Sequence, residues 1–532
     1  MTKTTSKPIE SYGVVGDLST VALVAKDGAI DFLCWPRFDS PTVFAALLDP
    51  QIGGSFELAP KLGGVVHKQM YVPDTNVLLT RFLSADGESE VVDFMAIDAA
   101  SPRLVRTVRV LRGTVVHRVA CRPRFDYARS RHTLRLDDSR HEARFLPETG
   151  PTLRLTSSVP LRAQGSDVRA SFTLRAGEVA TFVLEDDGAG PAPGDADLER
   201  DFGSTVSYWQ HWSSRSTYRG RWREMVQRSA LVLKLLSSRE FGSMVAAPTF
   251  GLPEELGGER NWDYRYTWVR DAAFTLYALM RLGYTEEAEH FMDWLQKQST
   301  DAQPDGTLKV MYGASPNQDL TECELPHLAG YAGSVPVRIG NGAHDQLQLD
   351  IYGELMDAVY LSSKYGKPAS HDAWAGVVRT LDWVCANWNT PDQGIWEIRG
   401  GPKHFLHSRL MCWVAVDRGL RLAEKRSLPA DFVKLAATRN AIHQDIYENF
   451  WDENARSFVQ HKGGTALDAS TLLMPLVRFI SPTDPRWLST LEAIGKRLVH
   501  DAMVMRYDND QAAHDGLRGR EGSFTTCSFW YV

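Results

Sequence analysis

The hydrophobic period of this chain changes once, near Trp222, and that change limits what the chain can fold into. Before it, short apolar runs are separated by tight-turn dipeptides. "TVALVAKDGAIDFLCW" places Asp27-Gly28 between two such runs, and "VLLTRFLSADGESEVVDFMAI" repeats the device at Asp86-Gly87. "ASFTLRAGEVATFVLED" does so again around Ala176-Gly177. Such dipeptides between apolar runs are hairpin signals, so the first two hundred residues predict an antiparallel β-sandwich. The Gly/Pro/Asp-rich stretch "DDGAGPAPGDAD" at 186–197 predicts the exit from it. After Trp222 the apolar residues recur with a helical period, first in "RWREMVQRSALVLKLLSSREF", "DAAFTLYALMRLGY" and "TEEAEHFMDWLQKQ". Further helices are predicted over 346–363, 371–387, 404–424, 430–450 and 487–500. Their short connections predict antiparallel helical hairpins, a pattern that a closed toroid and an open solenoid both satisfy. The 532 residues exceed what one core fills. They divide into a sandwich over 1–200, a linker over 201–221 and a helical domain over 222–532.

Charge and cysteine usage narrow the function classes. With 59 basic and 66 acidic side chains the net charge is −7, which argues against a nucleic-acid partner or an anionic membrane surface. No apolar run is long enough to span a bilayer. The start, "MTKTTSKPIESYG", has no apolar core of a signal peptide. The six cysteines at 34, 121, 323, 385, 412 and 527 form no CxxC pair and read as mostly buried thiols. The expectation is a cytoplasmic protein. The oligomeric state is not encoded in any visible pattern.

The unusual residues lie in the loops between helices. In "GLPEELGGERNWDYRYTWVRDAAF", Trp262, Tyr264, Tyr266 and Trp268 alternate with polar residues, and Arg270 and Asp271 open an apolar helix. A helix cap with a salt bridge explains Arg270 and Asp271 as well as a polar fork for hydroxyls does. In "TPDQGIWEIRGGPKHFLHSRL", Glu397 sits between Trp396 and Ile398. Desolvation beside Trp396 favours a neutral carboxyl, as a general acid requires; pairing with Arg399 at the surface is the plainer alternative. His404 and His407 have no third partner at metal-ligand spacing, so no metal is expected. In "GNGAHDQLQLDIYGEL", His344, Asp345 and Gln348 line a cleft or, equally, Asp345 caps a helix. The mixed segment "WPRFDSP" at 35–41 suits either the cleft or a domain interface. No P-loop and no GxSxG elbow is present.

Taken together, these loops resemble glycoside hydrolase family 15, whose members include glucoamylases, glucodextranases and bacterial trehalases. "PIESYGVVGDLSTVALVAKDGAIDFLCWPRFDSPTVFAALLD" resembles the family's trehalase-like N-terminal domain. "GGERNWDYRYTWVRDAAFTLYAL" and "GIWEIRGGPKHFLHSRLMCWVAVDR" resemble its catalytic domain. The resemblance implies a β-sandwich followed by an (α/α)6 toroid. It implies inverting hydrolysis of an α-glucosidic bond without a cofactor, on a small glucoside such as trehalose or a short α-glucan. Glu397 matches the general acid. Trp268, Arg270 and Asp271 match the residues that hold the terminal glucose, with Trp396 beside them, and Arg506-Tyr507 of "MVMRYDND" resembles a further substrate-binding segment. Tyr266, His344 and Asp345 are weaker candidates. Ile398 departs from the "WEE" of glucoamylases, which favours α,α-trehalose over a glucoamylase or isomaltose-type substrate. Two further readings are a phosphorylase on a similar plan and a glucoside-binding protein without turnover. The last residues, "EGSFTTCSFWYV", predict a helix burying Phe524, Cys527 and Tyr531. The family's general base is expected in a loop beyond it, past Val532, so the toroid is expected to lack its last helices; Glu521 is the nearest substitute within the chain.

Overall fold

The computed structural model describes residues 6–302, 306–365, 370–507 and 522–532. The N-terminal part is a two-layer antiparallel sandwich. One layer runs, in spatial order, Tyr12–Gly16, Val21–Ala25, Ala29–Cys34, Ser55–Pro60, the second half of Arg103–Arg122, and Asp167–Arg175. The other runs Val66–Tyr71, Leu78–Leu83, Gly87–Met95, the first half of Arg103–Arg122, Val179–Asp186, Leu153–Ser157, Glu142–Pro147 and His132–Leu136. Phe56, Phe82, Val108, Phe145, Leu155 and Phe182 fill the space between them. Arg106 is fully buried there, held by Asp93 at 2.7 Å and by the carbonyl of Gly28 at 2.7 Å. Such pairing is what makes a buried guanidinium tolerable.

Asp27-Gly28 and Asp86-Gly87 join paired neighbouring strands, as predicted. Ala176-Gly177 does not. The strands on either side of it pair with the same partner, Arg103–Arg122, one with each half. That long strand passes from one layer to the other at Gly113, whose φ is +81°. The Ala176-Gly177 turn is the matching corner, where the chain changes layer alongside it. Turn chemistry in sequence cannot separate a hairpin from a corner.

Residues 201–221 are not an open linker either. A helix, α1 (Asp195–Ser214), covers most of the stretch. It sets Leu198 and Val206 against Phe94, Val105 and Val183 of the sandwich. From its other side Trp212 stacks on Tyr284, with ring centroids 3.9 Å apart, and its indole N–H donates to Glu287 at 2.7 Å. An apolar stripe on each of two faces makes this helix a wedge between domains.

The C-terminal part is an α/α toroid. After α2 (Arg223–Leu235), the chain forms α3 (Val269–Arg281), α4 (Glu286–Ala302), α5 (Asp350–Tyr365), α6 (His371–Asn387), α7 (Leu406–Arg426) and α8 (Phe432–Asn449). Helices α3, α5 and α7 pack side by side, while α4, α6 and α8 lie outside them. Burial states the reason. Every residue of α7 from Leu406 to Gly419 is buried, the mark of an inner helix, whereas α8 buries only Leu435, Ile442 and Ile446. Gly353 lets α5 and α7 touch, since a Cβ there would lie 2.2 Å from the carbonyl oxygen of Met411. Beyond α9 (Pro485–Arg497), the last described helix is α10 (Thr525–Tyr531). It buries Cys527 alone, while Phe524 and Tyr531 are more than a third exposed. The expected core-facing triad is therefore wrong for two of its three residues.

A buried ion pair joins the two domains. Asp263 and Arg265, both fully buried in the loop before α3, form a bidentate pair at 2.6 and 2.9 Å. Arg265 then reaches the sandwich, donating to the Ser40 carbonyl at 2.8 Å and the Tyr127 hydroxyl at 3.1 Å. Asp39 accepts from the backbone and hydroxyl of Ser315 at 2.8 and 3.0 Å. Segment 35–41 thus serves the interface and does not line the candidate cavity. Removing one partner strands a buried charge, so Arg265→Leu is expected to lower stability by about 3–5 kcal/mol, read from the midpoint of urea unfolding.

Candidate active site

The loops that lead into α3, α5 and α7 converge on a cavity of about 630 Å³. Trp262, Tyr264, Trp268, Arg270 and Asp271 enter it from the first loop, Gln346 from the second, and Trp396, Glu397 and Arg399 from the third. Arg506, Phe524 and Trp530 close the far wall. Glu397 stands in a tight turn in which its amide donates to the Gly394 carbonyl. Its φ is +57°, a left-handed conformation that non-glycine residues seldom adopt and that concentrates at functional sites. Gln346 donates to its carbonyl oxygen at 3.3 Å.

The carboxylate of Glu397 is fixed by two donors on one oxygen. Oε1 accepts from the Trp268 indole at 2.8 Å and from Arg270 Nη2 at 3.0 Å. Arg270 also donates to Gln348 at 2.8 Å and to Asp350 at 3.2 Å, and it lies 3.7 Å from Asp271. Burial works against its charge, but Asp350, Asp271 and Glu397 together hold its pKa above that of a free guanidinium. The Asp271 side chain is enclosed by protein yet 44% exposed, on the cavity side. That enclosure raises its carboxyl above the ordinary value, with Arg270 opposing the rise and Glu397 adding to it. The alternative surface pairing of Glu397 with Arg399 is absent, because Arg399 binds Glu322 instead.

The family model for glycosyl hydrolases family 15 matches residues 220–532, and the model for the trehalase-like N-terminal domain matches residues 1–169. The chain belongs to glycosyl hydrolases family 15. A trehalase of Mycobacterium tuberculosis is 37% identical over 552 aligned residues, covering 99% of this chain and 81% of that protein. A trehalase of Mycolicibacterium smegmatis is 38% identical, covering 99% and 82%. Among solved structures, a bacterial glucoamylase complexed with acarbose matches with a TM-score of 0.69 at 14% identity, covering 95% of this chain and 81% of that one. That likeness concerns the fold: the sandwich and toroid are the family 15 architecture. The chain is a glycoside hydrolase.

Of the family 15 candidates named from sequence, Trp268, Arg270, Asp271, Trp396, Glu397 and Arg506 are brought together on the one cavity. Trp396 takes a different part from the one expected. Its indole N–H is shared by both oxygens of Asp468, at 2.9 and 3.1 Å, and Glu397 is contacted by Trp268 instead. Tyr507 is buried behind Trp396 and pairs its backbone with Asp468. Tyr266 is buried away from the cavity, where its hydroxyl accepts from the Gly340 amide at 3.1 Å. His344 and Asp345 pair with one another at 3.1 Å in a single-turn helix, and neither lines the cavity or caps α5. Glu521 lies outside the described residues. No cluster of three or more His, Cys, Asp or Glu that could hold a metal occurs among the described residues, and no described helix is long and apolar enough to cross a membrane.

Sequence reading missed Asp468, Glu254 and Glu322. Asp468 caps the turn at Ala469–Leu472, and the Ala469 amide donates to the Arg506 carbonyl at 2.8 Å. Arg506 is thereby set over Trp396 and Phe524, its guanidinium carbon 5.4 Å from each ring centroid, and pairs with Glu254 at 3.0 Å. A lone Asp in "ALDAST" carries no signal of that kind.

Asp392 anchors the Glu397 loop. Its Oδ2 accepts from the Leu349 amide at 2.8 Å and from the Ser408 hydroxyl at 2.7 Å, while Oδ1 is buried without a partner. Burial pushes its pKa up from 3.8 to about 7. The native state therefore keeps a proton that the unfolded chain has released. Its stabilising contribution is complete below about pH 4 and is lost as the pH rises through about 7. Asp392→Asn is expected to flatten that fall in stability, measured as the unfolding midpoint against pH.

Proposed function

We propose that this site belongs to an enzyme that hydrolyses α,α-trehalose with inversion at the anomeric carbon, and that Glu397 is its general acid. One observation carries the assignment of the acid: a carboxyl group in the cavity has one oxygen fixed by Trp268 and Arg270. Because Oε1 accepts both hydrogen bonds, Oε2 is the oxygen assigned to the transfer to the leaving group. In the reaction the bond between the anomeric carbon and the bridging oxygen breaks. Glu397 gives its proton to that oxygen, and water attacks the anomeric carbon from the opposite face. A second carboxylate takes the proton from water and must stand roughly 6.5–9.5 Å from the acid. Asp271 and Glu254 are each engaged by an arginine, and neither is assigned that role. Asp271 and the remaining Arg270 donors hold hydroxyls of the glucose that is attacked.

Trehalose is favoured by the trehalases that align with almost the whole of this chain. It is also favoured by the fate of Ile398. That side chain is apolar, 3% exposed and not among the residues lining the cavity, so the position directly after the acid offers the leaving sugar no carboxylate of the glucoamylase kind.

Inverting cleavage of α,α-trehalose releases one β-glucose from the attacked ring and one α-glucose from the leaving ring. Proton NMR within the first minutes is expected to show the two anomers in equal amounts, and α-glucose alone would contradict inversion. Turnover of trehalose is expected to exceed that of maltose and isomaltose. Glu397→Gln is expected to lower kcat on trehalose by about 10²–10⁴-fold, and a rate close to wild type would refute the assignment.

A further inference from the structure

We infer that Arg399, clamped by Glu322 and stacked on Trp262, recognises the leaving sugar and sets the specificity of the site for a hydroxyl-bearing aglycone. The inference rests on the glucoside reading of the cavity and adds the residue that reads the second ring.

Arg399 comes two positions after the acid and lines the same cavity. Its guanidinium is held in a bidentate fork by Glu322, Nη1 to Oε1 at 3.1 Å and Nη2 to Oε2 at 2.7 Å. Glu322 is itself fixed, accepting from the Gly342 amide at 2.9 Å and lying 3.4 Å from Arg338. The face of the Arg399 guanidinium lies over the Trp262 ring, with its central carbon 4.2 Å from the ring centroid, and Arg338 lies 4.9 Å from the same ring.

An arginine held on a carboxylate and an indole has lost its freedom before any ligand arrives. Binding a ligand then costs little further ordering. Of five guanidinium N–H groups, the fork uses one on Nη1 and one on Nη2, which leaves three as donors to hydroxyl oxygens. The side chain of Arg399 is 31% exposed, so it is both anchored and reachable.

Its place in the chain accounts for its role. The turn that gives Glu397 its positive φ sends Ile398 into the core and returns the next side chain to the cavity. A cation from the second position after the acid thereby takes the contact with the leaving ring. Arg399 touches neither the Glu397 carboxyl nor the Arg270 fork, so its loss should spare the subsite for the attacked glucose.

Binding tests this directly. Titration calorimetry would compare α,α-trehalose with methyl α-glucoside, whose aglycone has no hydroxyl, in a Glu397→Gln protein, whose turnover is slowed by about 10²–10⁴-fold. Adding Arg399→Ala is expected to weaken trehalose about 10–100-fold, the loss of one or two charge-assisted hydrogen bonds, and to change methyl α-glucoside less than about threefold. Arg399→Lys keeps the charge but not the planar fork and is expected to recover only part of the trehalose affinity. An equal loss for both ligands, or no loss for either, would overturn the inference. Failure of the Glu397→Gln protein with Arg399 intact to bind either ligand would overturn the glucoside reading itself.

Discussion

The site is organised around one buried cation. Arg270 stands in the first turn of α3, where the helix dipole disfavours positive charge, and it is almost fully enclosed. A guanidinium in that position is tolerable only when acids surround it. Asp350 comes from the start of α5, Glu397 from the loop before α7, and Asp271 from α3 itself. Satisfying one charge therefore fixes three successive inner elements of the toroid relative to each other. The same arrangement holds Oε1 of Glu397 and leaves its other oxygen available to chemistry.

That cluster is braced from two sides. Below it, Asp392 ties the Glu397 loop to Leu349 at the head of α5 and to Ser408 in α7. Outside it, the Asp263–Arg265 pair carries the Trp262–Trp268 loop onto the sandwich through Ser40 and Tyr127. Among the described residues, the sandwich contributes no side chain to the cavity. It positions the loop that does, and α1 packs one apolar stripe against each domain.

Much of this was legible in the sequence, for physical reasons that differ from part to part. The period switch near Trp222 marks the change from pleated to helical burial, and two of three Gly turns mark true hairpins. The resemblance of two long loop motifs to family 15 implied that Trp268, Arg270, Asp271 and Glu397 share one site, where the residues alone left a helix cap and a surface ion pair equally open. What failed depends on partners distant in sequence. A turn at Ala176-Gly177 reads alike whether its strands pair with each other or share a third. Trp396 next to Glu397 suggested that the indole shields the carboxyl, but adjacent side chains diverge, and the contact comes from Trp268, 129 residues away. The same reasoning explains Ile398 and Arg399: the sequence gives the order of residues after the acid, while the backbone turn decides which of the two faces the substrate. Helical spacing at the last residues suggested a buried triad, yet only Cys527 has core to pack against, and Phe524 lines the cavity wall.

The central claim is that Glu397 acts by giving a proton to the leaving oxygen. α-Glucosyl fluoride probes this step, because fluoride departs with little need of an acid whereas a sugar alkoxide does not. In Glu397→Gln, kcat/KM for trehalose should fall by about 10²–10⁴-fold while that for α-glucosyl fluoride falls less than about tenfold. An equal fall for both substrates would show that Glu397 does something other than protonate the leaving group, and would contradict the account.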